Sequence, residues 1–125
     1  MVRLEAGLME TQELRLALLE RGRGRCECGG ESGYQCPHPA QELDHFFGRA
    51  RQEELLETCW ILSRSCHTAK TENRPSAKEW FRRFMRFTNR NAVMSESFEE
   101  LGRWLAAHKR AGDRLEWILA RESKF

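Results

Sequence analysis

The chain has 125 residues, 40% of them hydrophobic and 10% aromatic, at a mean hydropathy of −0.71, which predicts a single domain over residues 1–125 with a modest core under a highly charged surface. Lys and Arg number 21 against 19 Asp and Glu, and a net charge of +2 neither demands nor excludes nucleic acid, so the placement of charge has to decide. No apolar run has the length of a membrane span, and the opening MVRLEAGLMETQELRLALLERGRGR breaks its apolar residues with acids, unlike a signal peptide; the expectation is a cytoplasmic protein without membrane contact, whose five cysteines are thiols or metal ligands.

Residues 10–21 predict a helix with Leu14, Ala17, Leu18 and Arg21 on one face, and with Leu16 and Leu19 widening the stripe. Gly22 and Gly24 end it. They alternate with Arg21, Arg23 and Arg25, which read equally as a phosphate-holding segment or a solvated linker. The stretch RCECGGESGYQCPHPAQ is too rich in Gly, Cys and Pro to build its own core. A knuckle folded around a metal accounts for Cys26, Cys28 and Cys36, with His38 between two prolines. Residues 42–46 predict a short strand with Leu43 and Asp44 on opposite faces. A loop follows through Arg49 and Arg51, then a helical turn over 52–57, and then Cys59-Trp60-Ile61-Leu62, the clearest strand of the chain. A helix is expected from near Ser65 to about Glu72, stopped by Asn73 and Pro75.

Ser76-Ala77-Lys78-Glu79 has the spacing of a capping box. The helix it opens carries Trp80, Phe81, Phe84, Met85 and Thr88 on one side. Lys78, Arg82, Arg83, Arg86 and Arg90 lie mostly elsewhere, opposed only by Glu79, so basic charge concentrates here. A second cap, Ser97 with Glu100, opens a helix presenting Leu101, Trp104, Leu105 and His108 on one face. Ala111-Gly112 should close it, and Asp113-x-x-Glu116 should begin a last helix with Leu115, Ile118 and Leu119. The tryptophans and phenylalanines at helical spacing are expected in the core rather than as stacking platforms, and His108 in the core or an interface.

ELDH (Glu42 to His45), an apolar segment, and then SCHTAKT (Ser65 to Thr71) together resemble the HNH nuclease family, whose active site is a ββα-metal finger. The resemblance covers roughly residues 26–75. It implies an α+β, mostly helical protein with a zinc-stapled finger over 26–75, an N-terminal helix at 10–21 and C-terminal helices within 76–125. The implied activity is that of a metal-dependent endonuclease hydrolysing DNA phosphodiester bonds, by nicking or cutting. In this family pattern Asp44 and His67 hold one divalent cation, Mg2+ or Mn2+, which acts as a Lewis acid on the phosphate and the leaving oxygen. His45, facing the other way from Asp44 along the strand, takes the proton from the attacking water.

Two positions depart from that pattern. Thr58 stands where the family has its middle asparagine, and a hydroxyl makes one loop-tying hydrogen bond rather than an amide's paired set. Ser63 stands where a C-x-x-C-H would have its first cysteine. Cys36, or else His38, is then needed to complete a tetrahedral structural zinc site with Cys26, Cys28 and Cys66. Cys59 replaces a usual leucine and is expected in the core. The implied partner is DNA, double-stranded, held through phosphates by Arg49, Arg51, Lys70, Lys78, Arg82, Arg83 and Arg86. A one-metal site breaks one bond at a time, so a double-strand cut asks for two encounters or a homodimer, or for a larger DNA-processing complex of the kind small family members from phages and mobile elements serve. The rival reading is a non-catalytic, zinc-finger-like DNA-binding module, which would have no need to keep Asp44, His45 and His67 together.

Overall fold

The structure is a computed structural model that describes residues 11–30, 36–48 and 55–122. It is an α+β arrangement in the order α1 (Thr11–Arg21), β1 (Glu42–His45), β2 (Cys59–Leu62), α2 (Arg64–Thr71), α3 (Ala77–Val93) and α4 (Phe98–Glu122). The two strands pair antiparallel with Asp44 opposite Trp60 and Leu43 opposite Ile61. Period-two alternation then sorts the side chains. Leu43, Cys59 and Ile61 pack with Leu14 and Leu18 of α1. Trp60 and Leu62 face the other way, into a core shared with α3 and α4. Both faces of β2 are covered, which explains why CWIL is apolar throughout rather than alternating.

The larger core is aromatic. Phe46 stacks on Phe84 with centroids 3.9 Å apart, Trp60 meets Phe84 edge-on at 5.1 Å, and Phe87 links this group to Trp104 at 5.4 Å. Against it α3 and α4 form an antiparallel pair whose contact uses small residues, Ala107 and Ala111, both buried. The expected break at Gly112 does not occur: α4 is a single helix of 25 residues. A Cβ on Gly112 would sit 3.5 Å from the methyl carbon of Met85, so this glycine is seated against α3. Packing along the helix outweighs the ~1 kcal/mol that glycine costs in a helix interior, and Asp113 pairs with Lys109 at 2.9 Å across one turn instead of opening a new helix. Both expected caps are present, with the Ser76 hydroxyl accepting from Glu79 N–H and that of Ser97 from Glu100 N–H.

Arg21 ties the layers together. Its guanidinium donates to both Glu27 carboxylate oxygens, at 2.7 and 2.9 Å, and to the carbonyls of Leu56 and Cys59, while lying over the rings of Phe87 and Trp104. Of the three arginines at the end of α1, this one is therefore turned inward and structural, whereas Arg23 and Arg25 are exposed. Glu27 in turn accepts from Ile61 N–H and donates its own N–H to Ile61 O, so the segment between Cys26 and Cys28 runs along the free edge of β2.

Candidate functional site

The first turn of α2 is held from two sides. Ser63 is its N-cap: the hydroxyl accepts from Cys66 N–H at 3.1 Å, and its carbonyl accepts from His67 N–H at 2.9 Å. The serine that stands in place of an expected cysteine thus fixes the two residues that follow it. The helix begins at Arg64, close to the expected start.

On one side Cys66 meets the knuckle. The ligand atoms of Cys26, Cys28, Cys36 and Cys66 all lie within 4.8 Å of one another, and Cys28 Sγ is 3.6 Å from Cys66 Sγ. All four are free thiols. A tetrahedral zinc–thiolate site, with metal–sulfur distances of about 2.3 Å, has sulfur–sulfur edges of about 3.8 Å, so this cluster can hold a structural metal such as zinc after only small adjustments. Gly29 and Gly30 both have positive φ, at 76° and 66°, which lets the chain curl back so that Gly30 N–H points at Cys28 Sγ. Hydrogen bonds from Cys26 and Cys28 drive the Cys66 thiol far down, toward thiolate. Cys28 is pushed up by Cys26 and Cys66. Such sharing of one negative charge among thiols is the ground a cation would neutralise. His38 is exposed, so the fourth corner belongs to Cys36, and Cys59 is buried in the core as expected.

On the other side His67 meets β1. Its Nε2 lies 3.4 Å from Asp44 Oδ1, and its Nδ1 is hydrogen-bonded to Glu42 Oε2. Asp44 is buried, and its Oδ2 accepts from the Trp60 indole N–H at 2.7 Å. Two ligands about 2.1 Å from one cation, at an angle of roughly 90–110°, stand about 3.0–3.4 Å apart. The Asp44–His67 pair meets that spacing, so one oxygen and one nitrogen lie close enough together to share a cation. Lys70, one turn after His67, places its Nζ 3.3 Å from Oδ1 and 3.2 Å from Oδ2 of Asp44, over the ring of Phe46. His45 follows Asp44 on the opposite face of the strand end and is partly exposed.

Two members of this site had no role assigned from the sequence. Glu42 shares Asp44's face because it is two residues earlier on the strand, a signal the alternation contains. Its carboxylate takes His67 on Oε2 and Arg64 on Oε1, and these two, His67 first, hold its carboxyl below the usual range. Trp60 follows only from the strand register, which places it opposite Asp44.

Thr58 is buried, and its hydroxyl donates to Leu55 O at 3.4 Å. The same hydroxyl lies 4.0 Å from Cys59 Sγ, and the Thr58 carbonyl accepts from Phe46 N–H, which ties it to the end of β1. The residues expected to hold phosphates divide. Arg49 and Arg51 lie outside the described residues. Arg82 is exposed, and Lys78 pairs with Glu122 at 3.4 Å. Arg86 reaches back to the carbonyl of Gly30, and Arg90 to that of Glu27, so this side of α3 clasps the knuckle. Arg83 corrects the expectation: it is 7% exposed, paired with Glu79 at 3.2 Å and laid over Trp80, because its stem completes the apolar face of α3. Lys70 is turned toward Asp44 rather than outward. His108 accepts or donates at Nδ1 with the Thr88 hydroxyl, 2.8 Å away between α3 and α4, a structural contact.

Among the described residues no helix is long and apolar enough to cross a membrane. No family model, curated protein or solved structure matches the chain.

Proposed function

We propose that this chain is a metal-dependent hydrolase of DNA phosphodiester bonds, built on an HNH-type finger. The observation that carries the proposal is the meeting of Asp44 Oδ1 and His67 Nε2, 3.4 Å apart at the junction of β1 and α2. What supports it further is that each ligand is aimed by a second partner. Trp60 fixes the Asp44 carboxylate, and Glu42 engages His67 Nδ1, which leaves Nε2 directed at Asp44.

Asp44 and His67 would hold a divalent cation, which would supply Lewis-acid stabilisation of charge on the phosphate and the departing oxygen. The protein's own groups do the rest. His45, on the face opposite Asp44, accepts the proton of the attacking water as general base. Burial of Asp44 in an aromatic surround keeps its charge strong toward a cation. Lys70, within reach of the same carboxylate, is placed to meet a phosphate oxygen once a stronger cation competes for Asp44. The thiol cluster, joined to the site by the adjacent residues Cys66 and His67, would hold a structural zinc that would fix the first turn of α2.

One observation favours a second reading. Lys70 already neutralises Asp44 within the fold, an arrangement that a non-catalytic DNA-binding module could keep for stability alone. Incubating supercoiled plasmid and a forked oligonucleotide with the protein and Mn2+, beside His45→Ala, separates the two. Cleavage that needs both Mn2+ and His45 is the expected result; binding with no cleavage of either DNA identifies the module instead.

A further inference from the structure

Charged side chains of β1 and α2 meet in an alternating ladder. Glu42 and Asp44 share one face of β1, and Arg64, His67 and Lys70 follow one another at three-residue steps along α2. Glu42 takes Arg64 Nε on Oε1 at 3.3 Å and His67 on Oε2, while Asp44 takes His67 Nε2 on Oδ1 at 3.4 Å and Lys70 on both oxygens. The two ends of the ladder differ. The side chain of Lys70 is 18% exposed and spent on Asp44, whereas that of Arg64 is 76% exposed. Arg64 is nevertheless held at two points, its backbone N–H donating to the Gln41 side-chain oxygen at 3.1 Å and its Nε–H to Glu42. Among the described residues Glu42 is its only ion-pair partner, which leaves the N–H groups of both terminal nitrogens for an outside acceptor.

Resting on the hydrolase reading, we propose that Arg64 binds a backbone phosphate of the cleaved strand, next to the phosphate seated at the Asp44–His67 pair, and so fixes where that strand lies on the finger. One carboxylate, Glu42, engages both the ligand His67 and Arg64, so the guanidinium has a set position relative to the reaction site. Glu42 and Asp44 are two residues apart on β1, about 6.7 Å at ~3.3 Å per residue, a separation comparable with one nucleotide step along a strand. A planar guanidinium matches phosphate oxygens with paired N–H donors and keeps its charge at any working pH. An exposed, singly bonded ion pair contributes little to stability, so the fold gains almost nothing from Arg64 as a brace. Glu42 and Asp44 balance Arg64 and Lys70, so a divalent cation would leave the ladder net positive, the sign that draws a phosphate. The charge pattern of the sequence puts phosphate contacts on α3, yet Arg83 is turned into the fold and Arg86 reaches the carbonyl of Gly30. Arg64, standing between two serines, has no run of basic residues to mark it.

The test is fluorescence anisotropy of a labelled DNA duplex over a salt series, with the full chain and no added divalent cation, for wild type, Arg64→Gln and Arg64→Lys. Calorimetry measures Mn2+ binding to the same proteins without DNA. Arg64→Gln should bind DNA about five- to tenfold more weakly at low salt, and its slope of log affinity against log salt should be shallower by about 1. The loss should be the same on duplexes of unrelated sequence. Arg64→Lys keeps the charge without the fork, so it should keep the wild-type slope. Mn2+ affinity should change less than about twofold in either variant, because His67 keeps its own bond to Glu42. Circular dichroism verifies folding; should Arg64→Gln not fold, Arg64→Ala is read in its place. An unchanged DNA affinity and slope in Arg64→Gln overturns the proposal. So does a tenfold loss of Mn2+ affinity with the slope kept, which would make Arg64 a positioning residue acting through Glu42. The DNA-binding assay contains no cleavage. An Arg64-dependent slope without Mn2+-dependent hydrolysis would therefore keep the phosphate contact and sink the hydrolase reading, and hydrolysis with an Arg64-independent slope would sink the phosphate contact alone.

Discussion

Asp44 and Trp60 are direct partners across the β1–β2 ladder, and the indole N–H of Trp60 donates to Asp44 Oδ2 at 2.7 Å. A core side chain therefore aims a buried carboxylate. Trp60 also contacts Phe46, Phe84 and Phe87, so the direction of Asp44 is set by the packing of α3 against the sheet. Replacing Trp60 by Phe keeps much of the apolar volume and removes the donor. The expected result is about 10- to 100-fold weaker Mn2+ binding by calorimetry, with stability lower by about 1–3 kcal/mol in urea unfolding from the unsatisfied oxygen and the smaller ring.

Glu42 gives a pH signature. Its carboxyl is held below the usual range, first by the hydrogen bond with His67 and then by Arg64. A group whose folded value is depressed stabilises the fold above its unfolded value and loses that contribution as pH falls through the folded one. Stability should therefore drop as the pH is lowered below the ordinary carboxylate range, and Glu42→Gln should flatten that part of the curve of urea midpoint against pH. An identical acid limb in the variant would show that Glu42 does not carry it. The same variant should weaken Mn2+ binding, because His67 loses the partner at Nδ1.

Lys70 competes with any cation for Asp44. Its ammonium lies 3.2 Å from Oδ2 and is largely buried. Lys70→Gln removes a like charge worth on the order of 1 kcal/mol against an incoming cation, so Mn2+ should bind about fivefold tighter. If phosphate contact is its second task, the variant should nonetheless cleave more slowly at saturating Mn2+. Unchanged metal affinity would separate Lys70 from the site.

The thiol cluster predicts zinc. Metal analysis of the purified protein should find one zinc for each chain, and Cys36→Ser should lower that content and the thermal midpoint together, since site assembly contributes directly to folding. Zinc retained in full by Cys36→Ser would point to another fourth ligand. Ser63→Ala, which removes the cap on α2, should cost about 1 kcal/mol without changing the ligand count.

What could be read before any coordinates was local. The apolar stripe of α1, the strand at Cys59–Leu62, the two serine caps and the knuckle cysteines Cys26, Cys28 and Cys36 come from spacings of a few residues, where the chain's own geometry limits the outcome, whereas Cys66 joins them through the family resemblance. What stayed hidden were pairs far apart in sequence: Arg21 with Leu56 O and Cys59 O, Trp60 with Asp44, and Glu42 with His67. Those depend on strand register and on which helix covers which face. Gly112 misled for the same reason. Its local cost is outweighed by the contact with α3, which no window of neighbouring residues contains. Arg83 reads as surface charge from composition, yet its position on the helix turns it under Trp80.

The most direct measurement is the rate of DNA cleavage as Mn2+ is titrated, for wild type, Asp44→Ala, His67→Ala and His45→Ala side by side. A cation shared by residues 44 and 67, with His45 as base, requires saturable Mn2+ dependence in the wild type. It also requires loss of that saturation in the two ligand variants, and in His45→Ala a rate lower by about 100-fold or more with Mn2+ binding kept. Cleavage by all four proteins at one rate, or Mn2+ binding undiminished in both ligand variants, would contradict it.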